Sequence, residues 1–384
     1  MKKDYIFTPG PTPVPLEVGL AQVHMVHHRS ADFGRMLSEA LDGLKYVFQT
    51  ENDVLVFTSS GTGAMEGAVS NCFSPGDKVA VFNGGKFGER FVEISRYFGL
   101  EVLNRSYEWN VAADPRELEK TIKENPDLKG VMLTHSETST GVVNDVEAFG
   151  RIVAETDALF IVDAISSLGA LEFRTDGWSV DVAISGSQKG LMTPPGLAFA
   201  AVSEKAWAAV EESTLPRFYF DFKAARKTQD KKTPETPFTP AITLVQALNK
   251  AIEMMRDEGL EAIQARHELF AKATQAAVEA LGLELFAADR SKAFVTTSVV
   301  APQGIDSGDI VRTLRNEFGV FIAGGQGKLK GKIFRLGHVG YFDQFDITTE
   351  IAALELGLAK LGFKVEIGAG VTAALKVLSE GSAG

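Results

Sequence analysis

The sequence predicts an α/β chain: a mainly parallel sheet with helices on both faces, then a smaller C-terminal α+β domain. Three observations carry this. From Asp53 to about Val202, short apolar runs alternate with Gly-rich or polar turns and helix-period segments, the order expected of repeated strand–helix units. Several of the runs are apolar at every position, as strands buried on both faces are. The length of 384 residues divided by about 150 per domain gives about 2.6, which suits a large domain and a smaller one.

The strands expected in order are DVLVFT (53–58), KVAVFN (78–83), EVLNRS (101–106), GVMLTH (130–135), ALFIVDA (158–164), DVAISGS (181–187) and LAFAAVS (197–203). Helical segments at 64–73, 86–98, 114–124 and 145–156 separate most of them. The charged, proline-containing stretch from Lys223 to Pro240 reads as an exposed loop. Residues 241–257 carry apolar positions at helical spacing, and Gly259 is placed to stop that helix. A long helix follows at about 260–281, then strands near 283–287, 293–301 and 333–337 and a helix near 346–361. The final GVTAALKVLSEGSAG reads as a tail. The expected division is an N-terminal segment (1–20), a large domain (21–257) and a small domain (258–384).

Composition removes whole classes of function. With 39 Lys+Arg against 50 Asp+Glu, the formal net charge is −11, so there is no cation excess to release counterions from a nucleic acid or an anionic membrane. The single cysteine, Cys72, excludes an intrachain disulfide and Cys-rich metal sites and favours a reducing compartment. The N-terminal lysines lack a following apolar core, so a signal peptide is not expected. No run approaches the roughly 18 apolar residues of a membrane span. A soluble, cytoplasmic protein is the expectation.

Three positions carry chemistry. After the first strand, Ser59-Ser60-Gly61-Thr62-Gly63 leads into a helix. Glycines there allow close backbone approach, and a helix N-terminus aims free N–H groups at an anion. The segment is neither a P-loop nor a dinucleotide fingerprint, and taken alone a plain strand–helix turn is as common. Asp163 closes an apolar strand, where open α/β sheets bind ligands; taken alone it reads as an N-cap. Lys189 follows the strand DVAIS among small residues, ahead of Pro194-Pro195-Gly196. Desolvation would lower its pKa and make it a nucleophile or base. Together the three supply what pyridoxal 5′-phosphate needs: a phosphate cradle, a carboxylate for the ring nitrogen and an amine for the aldehyde.

At this point the chain resembles the class V aminotransferases of fold type I, in the alanine–glyoxylate, serine–pyruvate and serine–glyoxylate branch. TPGPTPVP, HHRS, SSGTGAMEG, SPGDKV, THSETSTGV, VDAISSLG, SGSQKGLMTPPG, TPFTPAI and AGGQGKLKGKIFRLGHVG occur in the family's order. The resemblance implies a Schiff-base role for Lys189 and a pyridine-nitrogen partner in Asp163. It places Ser60, Gly61, Thr62 and Gln188 on the phosphate, Phe87 against the cofactor ring, and Thr138 near its 3-hydroxyl. It gives Arg335 the substrate α-carboxylate, which the planar guanidinium fork suits. Thr236 and Thr239 lie in a loop that, in relatives, reaches the neighbouring subunit's phosphate, so a homodimer is implied. The implied reaction moves an amino group from serine or alanine to glyoxylate or pyruvate in two half-reactions.

Three alternatives stay open beside that reading: an aspartate or broad-range aminotransferase, in which Arg29 could take a side-chain carboxylate; a lyase or desulfurase; and a non-catalytic hydrogenase-associated subunit. His24, His27 and His28 lack a companion carboxylate or HExxH pattern and read as structural rather than metal-binding. Cys72 sits in the helix after the phosphate turn and reads as packing.

Overall fold

The computed structural model describes residues 3–288 and 294–381. Its centre is a seven-stranded sheet of β1 (Asp53–Thr58), β2 (Lys78–Asn83), β3 (Glu101–Ser106), β4 (Gly130–Thr134), β5 (Leu159–Asp163), β6 (Val182–Gly186) and β7 (Leu197–Val202). The spatial order is β1-β7-β6-β5-β4-β2-β3. Strands β2 to β6 pair in parallel, and β7 runs antiparallel to both β1 and β6. The largely apolar strands β4, β5, β6 and β7 are buried along their whole length, whereas β3, EVLNRS, is a partly exposed edge. Two apolar clusters cover the two faces. One includes Val54, Val56, Phe82, Phe149, Phe160 and Phe199; the other includes Leu55, Phe57, Val81, Ile161 and Ile184. Neighbouring residues of one strand thus point into different cores, as pleating requires.

Register sets the site. Thr134 lies opposite Asp163, and Asp163 opposite Ile184, so the carboxyl ends of β4, β5 and β6 finish nearly level. The helices Gly61–Cys72 and Lys86–Tyr97 begin just past the ends of β1 and β2 and present their N-termini along that same edge.

Beyond the helix Ile242–Glu258, Gly259 at φ 86° starts the long helix Leu260–Ala280. It packs with a three-stranded antiparallel sheet of β8 (Thr296–Val300), β9 (Ala323–Gly324) and β10 (Ile333–Gly337), ordered β8-β10-β9. The N-terminal segment joins the two parts of the molecule. Tyr5 and Ile6 pair with Val320 and Phe321, while the Thr12 N–H donates to the Gln188 carbonyl at 3.2 Å.

Three expectations need correction. The stretch read as an exposed loop contains the helix Phe222–Gln229, capped by Asp221 and burying Phe222, Ala225 and Gln229. Residues 283–287 form a single bridge, Leu285 to Val299, not a strand. Most of the supposed tail is the helix Ala369–Gly381, which buries Gly370, Ala374 and Leu378. The strand expected at 293–301 is Thr296–Val300; residue 293 and residues 382–384 lie outside the described residues.

Candidate active site

Lys189 sits in the turn between β6 and β7. Ser187 pins that turn: its hydroxyl donates to the Pro194 carbonyl at 2.7 Å and accepts from the Leu197 N–H at 3.2 Å. The Lys189 carbonyl accepts from the Thr12 hydroxyl at 3.2 Å and from the Met192 N–H at 3.0 Å. Above the side chain passes Gly10, at φ 138°, where a Cβ would lie 2.5 Å from Lys189 Cε. Lys189 is only 8% exposed, and its amine donates to Ser166 Oγ at 3.4 Å. Burial, reinforced by Arg335, lowers its pKa to about 8.

Asp163 ends β5 and is 3% exposed. Its Oδ1 accepts from the Ile165 N–H at 2.9 Å within a turn; no helix follows β5 before β6, so Asp163 is not the N-cap it resembles when taken alone. Burial raises its pKa to about 7, against the opposing pull of that bond and of Lys189. Ile165 then packs against Gly61, where any Cβ would meet Ile165 Cδ1 at 2.4 Å. The glycine therefore lets the carboxylate turn and the anion turn close on each other.

At the anion turn, Ser60 precedes the helix without a side-chain cap, and the first two N–H groups, those of Gly61 and Thr62, have no helical partner. Gln188 lies alongside: its buried Oε1 has no hydrogen-bond partner among the described residues, and a Cβ on the intervening Gly186 would sit 2.9 Å from that oxygen and 3.4 Å from Gly61 N. Phe87 is half-buried in the first turn of the helix Lys86–Tyr97, with the Arg90 guanidinium 4.8 Å from its ring centroid.

Arg335 reaches in from β10, buried. Its Nε and one terminal nitrogen donate to the Gly324 carbonyl at 3.0 and 2.7 Å, and the other terminal nitrogen donates to the Thr138 carbonyl at 2.8 Å. Guanidinium has five N–H groups, so one remains on each terminal nitrogen, the pair that a carboxylate takes bidentately. Burial lowers its pKa to about 10, with Glu137 opposing. The Thr138 hydroxyl accepts from Ser166 Oγ at 3.4 Å, which links Arg335, Thr138, Ser166 and Lys189 in one chain.

Three residues here escaped the sequence reading. Glu137 is buried; it accepts from the Phe87 and Gly88 N–H groups at 2.9 and 3.1 Å and from Ser139 N and Oγ at 3.2 and 2.6 Å. It thereby holds the start of the helix that carries Phe87, and burial raises its pKa despite those bonds. Ser166 and Arg90 are the others. Glu137 and Ser166 fall inside recognisable motifs, THSETSTGV and VDAISSLG, and an acid set among small residues was the available signal.

Thr236 and Thr239 line a cavity with Thr58, next to the anion turn, but make no hydrogen bond to the cluster among the described residues. Thr236 is buried and donates to the Phe238 carbonyl in its own loop at 2.7 Å, while Thr239 is exposed. Arg29 is tied to that loop by Glu235 at 2.9 Å and the Thr236 carbonyl at 3.1 Å. His27 and His28 stack on each other, and no group of three or more metal-ligating side chains occurs among the described residues. Cys72 is buried, its thiol pushed up to about 12 by burial, which fits packing and not nucleophilic chemistry.

Residues 16–332 match the family described as aminotransferase class-V. The chain belongs to that family. A soluble hydrogenase small subunit from Synechococcus sp. is 47% identical over 98% of this chain and 99% of its own. The L-aspartate–glyoxylate aminotransferase of Paracoccus denitrificans is 39% identical, covering 96% of this chain and 94% of its own. Among solved structures, the ureidoglycine–glyoxylate aminotransferase of Bacillus subtilis superposes with a TM-score of 0.95 at 31% identity, covering 99% of both chains. This class-V aminotransferase is therefore a transaminase by family and of fold type I by architecture. The family depends on pyridoxal phosphate, and the residues present fit that group. The uncapped N-terminus of the helix Gly61–Cys72 offers the Gly61 and Thr62 N–H groups to a phosphate, and the site also holds a buried carboxylate, Asp163, and a buried amine, Lys189. No described helix is long and apolar enough to cross a membrane.

Proposed function

We propose that the chain is a pyridoxal-phosphate-dependent aminotransferase that moves the amino group of a small neutral amino acid, serine or alanine, to glyoxylate or pyruvate. One observation carries this reading: a buried arginine with a free N–H on each terminal nitrogen, linked through Thr138 and Ser166 to a buried lysine of lowered pKa. Arg335 orients the donor's α-carboxylate. Lys189 Nζ, with a pKa of about 8, is partly neutral near pH 8 and takes the proton from the donor's Cα. Ser166 Oγ fixes the direction from which that amine approaches. The bound cofactor supplies a conjugated ring that accepts the electron pair left at Cα. Asp163, costly to ionise alone, holds the proton of the ring nitrogen; Ser60, Gly61, Thr62 and Gln188 hold the phosphate; Phe87 covers the ring and Thr138 lies at its hydroxyl edge.

We assign Thr236 and Thr239 to a partner subunit's phosphate in a homodimer, divide the chain into large (21–257) and small (258–384) domains after the N-terminal segment (1–20), and place the protein in the cytoplasm. The aspartate–glyoxylate relative favours a second reading with aspartate as donor. Against it, Arg29, the candidate for a side-chain carboxylate, is already paired with Glu235. A non-catalytic role, which the hydrogenase-named relative invites, has no use for an intact Asp163–Lys189 pair. The test is the absorption spectrum of the protein loaded with pyridoxal phosphate, titrated with serine, alanine and aspartate in turn. The expected result is a visible band that serine or alanine moves to the near-ultraviolet and glyoxylate restores. No bound chromophore, or a response to aspartate alone, overturns the proposal.

A further inference from the structure

Arg90 is the cation at this site that none of the assigned roles uses. It lies one turn into the helix Lys86–Tyr97 and makes no ion pair with any carboxylate among the described residues, although Lys86 and Glu89 beside it pair with each other at 2.6 Å. Its guanidinium lies 4.8 Å from the Phe87 ring centroid, and one terminal nitrogen donates to Thr62 Oγ1 at 3.1 Å. Thr62 is the second residue of the uncapped helix Gly61–Cys72. A hydroxyl has one hydrogen and two lone pairs. With Arg90 donating into a lone pair, the Thr62 hydrogen is left to point at an anion, and its donor strength rises because the acceptor side is occupied by a cation. Arg90 thus stands behind the anion turn, not in it.

We infer that Arg90 is a positioning residue for the cofactor's phosphate, acting through the Thr62 hydroxyl. This rests on the cofactor reading above. Its cover of the Phe87 ring is a separate contact, and the two are distinguishable because pyridoxal carries the ring without the phosphate. Arg90→Met keeps an apolar chain over Phe87 but removes the donor and the charge; Arg90→Lys restores both in part.

The experiment is a binding titration of the cofactor-free protein with pyridoxal phosphate and with pyridoxal, followed by absorbance and by quenching of tryptophan fluorescence. The expected result for Arg90→Met is a Kd for pyridoxal phosphate raised about tenfold, about 1.4 kcal/mol, with the Kd for pyridoxal changed less than about twofold. Arg90→Lys should recover most of the loss, and Arg90→Met should add little in a Thr62→Val background, since both remove the same contact. Equal losses for the two ligands would make ring cover the whole effect and overturn the inference; so would no loss, or full additivity with Thr62→Val. If Arg90→Met does not fold, Arg90→Lys and Thr62→Val compared on the two ligands decide the same question. Failure of the unsubstituted protein to bind pyridoxal phosphate instead refutes the cofactor reading.

Discussion

Replacing Asp163 by asparagine should make the cofactor-free protein more stable and the enzyme worse. Burial raises this carboxyl from 3.8 to about 7, so above pH 7 the folded chain holds an ionised group that it disfavours. At about 1.4 kcal/mol per tenfold change in ionisation, a rise of this size sets an upper bound of about 4 kcal/mol on the cost. Local relaxation lowers it, and about 1–3 kcal/mol is the expectation. The sign follows from proton binding. Between pH 3.8 and 7 the folded state binds more protons at this group than the unfolded state, so the contribution of Asp163 to stability falls as pH rises through that window and is at its worst above it. Asparagine keeps an Oδ1 to accept from Ile165 and carries no charge. For a chain of this length about 1 kcal/mol corresponds to about 1 °C in Tm, so the variant should melt about 1–3 °C higher at pH 8.5 and no higher at pH 4. Calorimetry of the cofactor-free proteins across that range measures it, while kcat falls steeply. A variant less stable at pH 8.5, or a gain independent of pH, refutes the claim that Asp163 is held against its own ionisation.

Three further outcomes follow from the same geometry. Covalent capture of pyridoxal phosphate by the cofactor-free protein needs the neutral Lys189 amine. Its rate should rise about tenfold per pH unit up to about pH 8 and then level; stopped-flow absorbance measures it, a plateau reached only near pH 10 refutes the lowered pKa, and Lys189→Ala should show no capture. Arg335→Lys gives up the planar fork anchored on Gly324 and Thr138. The donor KM should rise about 10- to 100-fold with a smaller change in kcat, and an unchanged KM removes the α-carboxylate assignment. Gly10→Ala places a Cβ 2.5 Å from Lys189 Cε at a φ of 138°, so kcat should drop at least about tenfold; steady-state kinetics near the unsubstituted values show that the N-terminal segment does not constrain the lysine.

What the sequence discloses depends on whether the signal is local. The sheet strands were legible because a strand covered on both faces is apolar along most of its length, as LFIV in β5 and LAFAAV in β7 are. The helices Phe222–Gln229 and Ala369–Gly381 were not, for opposite reasons. The first buries a stripe of three residues, Phe222, Ala225 and Gln229, beneath charged neighbours. The second packs on Gly370, Ala374 and Leu378, a stripe whose glycine and alanine carry little hydrophobic signal. Within the site, Lys189 and Asp163 stand at strand ends, which a one-dimensional pattern locates. Glu137 takes its meaning from Phe87 and Gly88, about fifty positions earlier, and Arg90 from Thr62 on a different helix. The first relation exists only once β2 and β4 pair, and the second only once the helices that follow β1 and β2 lie side by side.

The energetics of the cluster bear on the resemblance to a hydrogenase-named protein. Asp163 is pushed up to about 7, Lys189 down to about 8 and Arg335 down to about 10, burial being the first cause in each. Each displacement measures a group held where its charged form is disfavoured, and together they subtract from a folding free energy that is only about 5–15 kcal/mol in ordinary domains. A surface that served only to dock another protein could replace all three with apolar residues and gain stability. Nor is the arrangement a self-neutralising ion-pair network: no salt bridge joins these side chains among the described residues, and Arg335 is braced by carbonyls, not by a carboxylate. Groups displaced from their ordinary pKa and left with spare donors or acceptors are matched to a ligand carrying the complementary charges. A phosphate, a protonated ring nitrogen, an aldehyde and a substrate carboxylate are that complement, which is why the catalytic reading accounts for the instability and the docking reading does not.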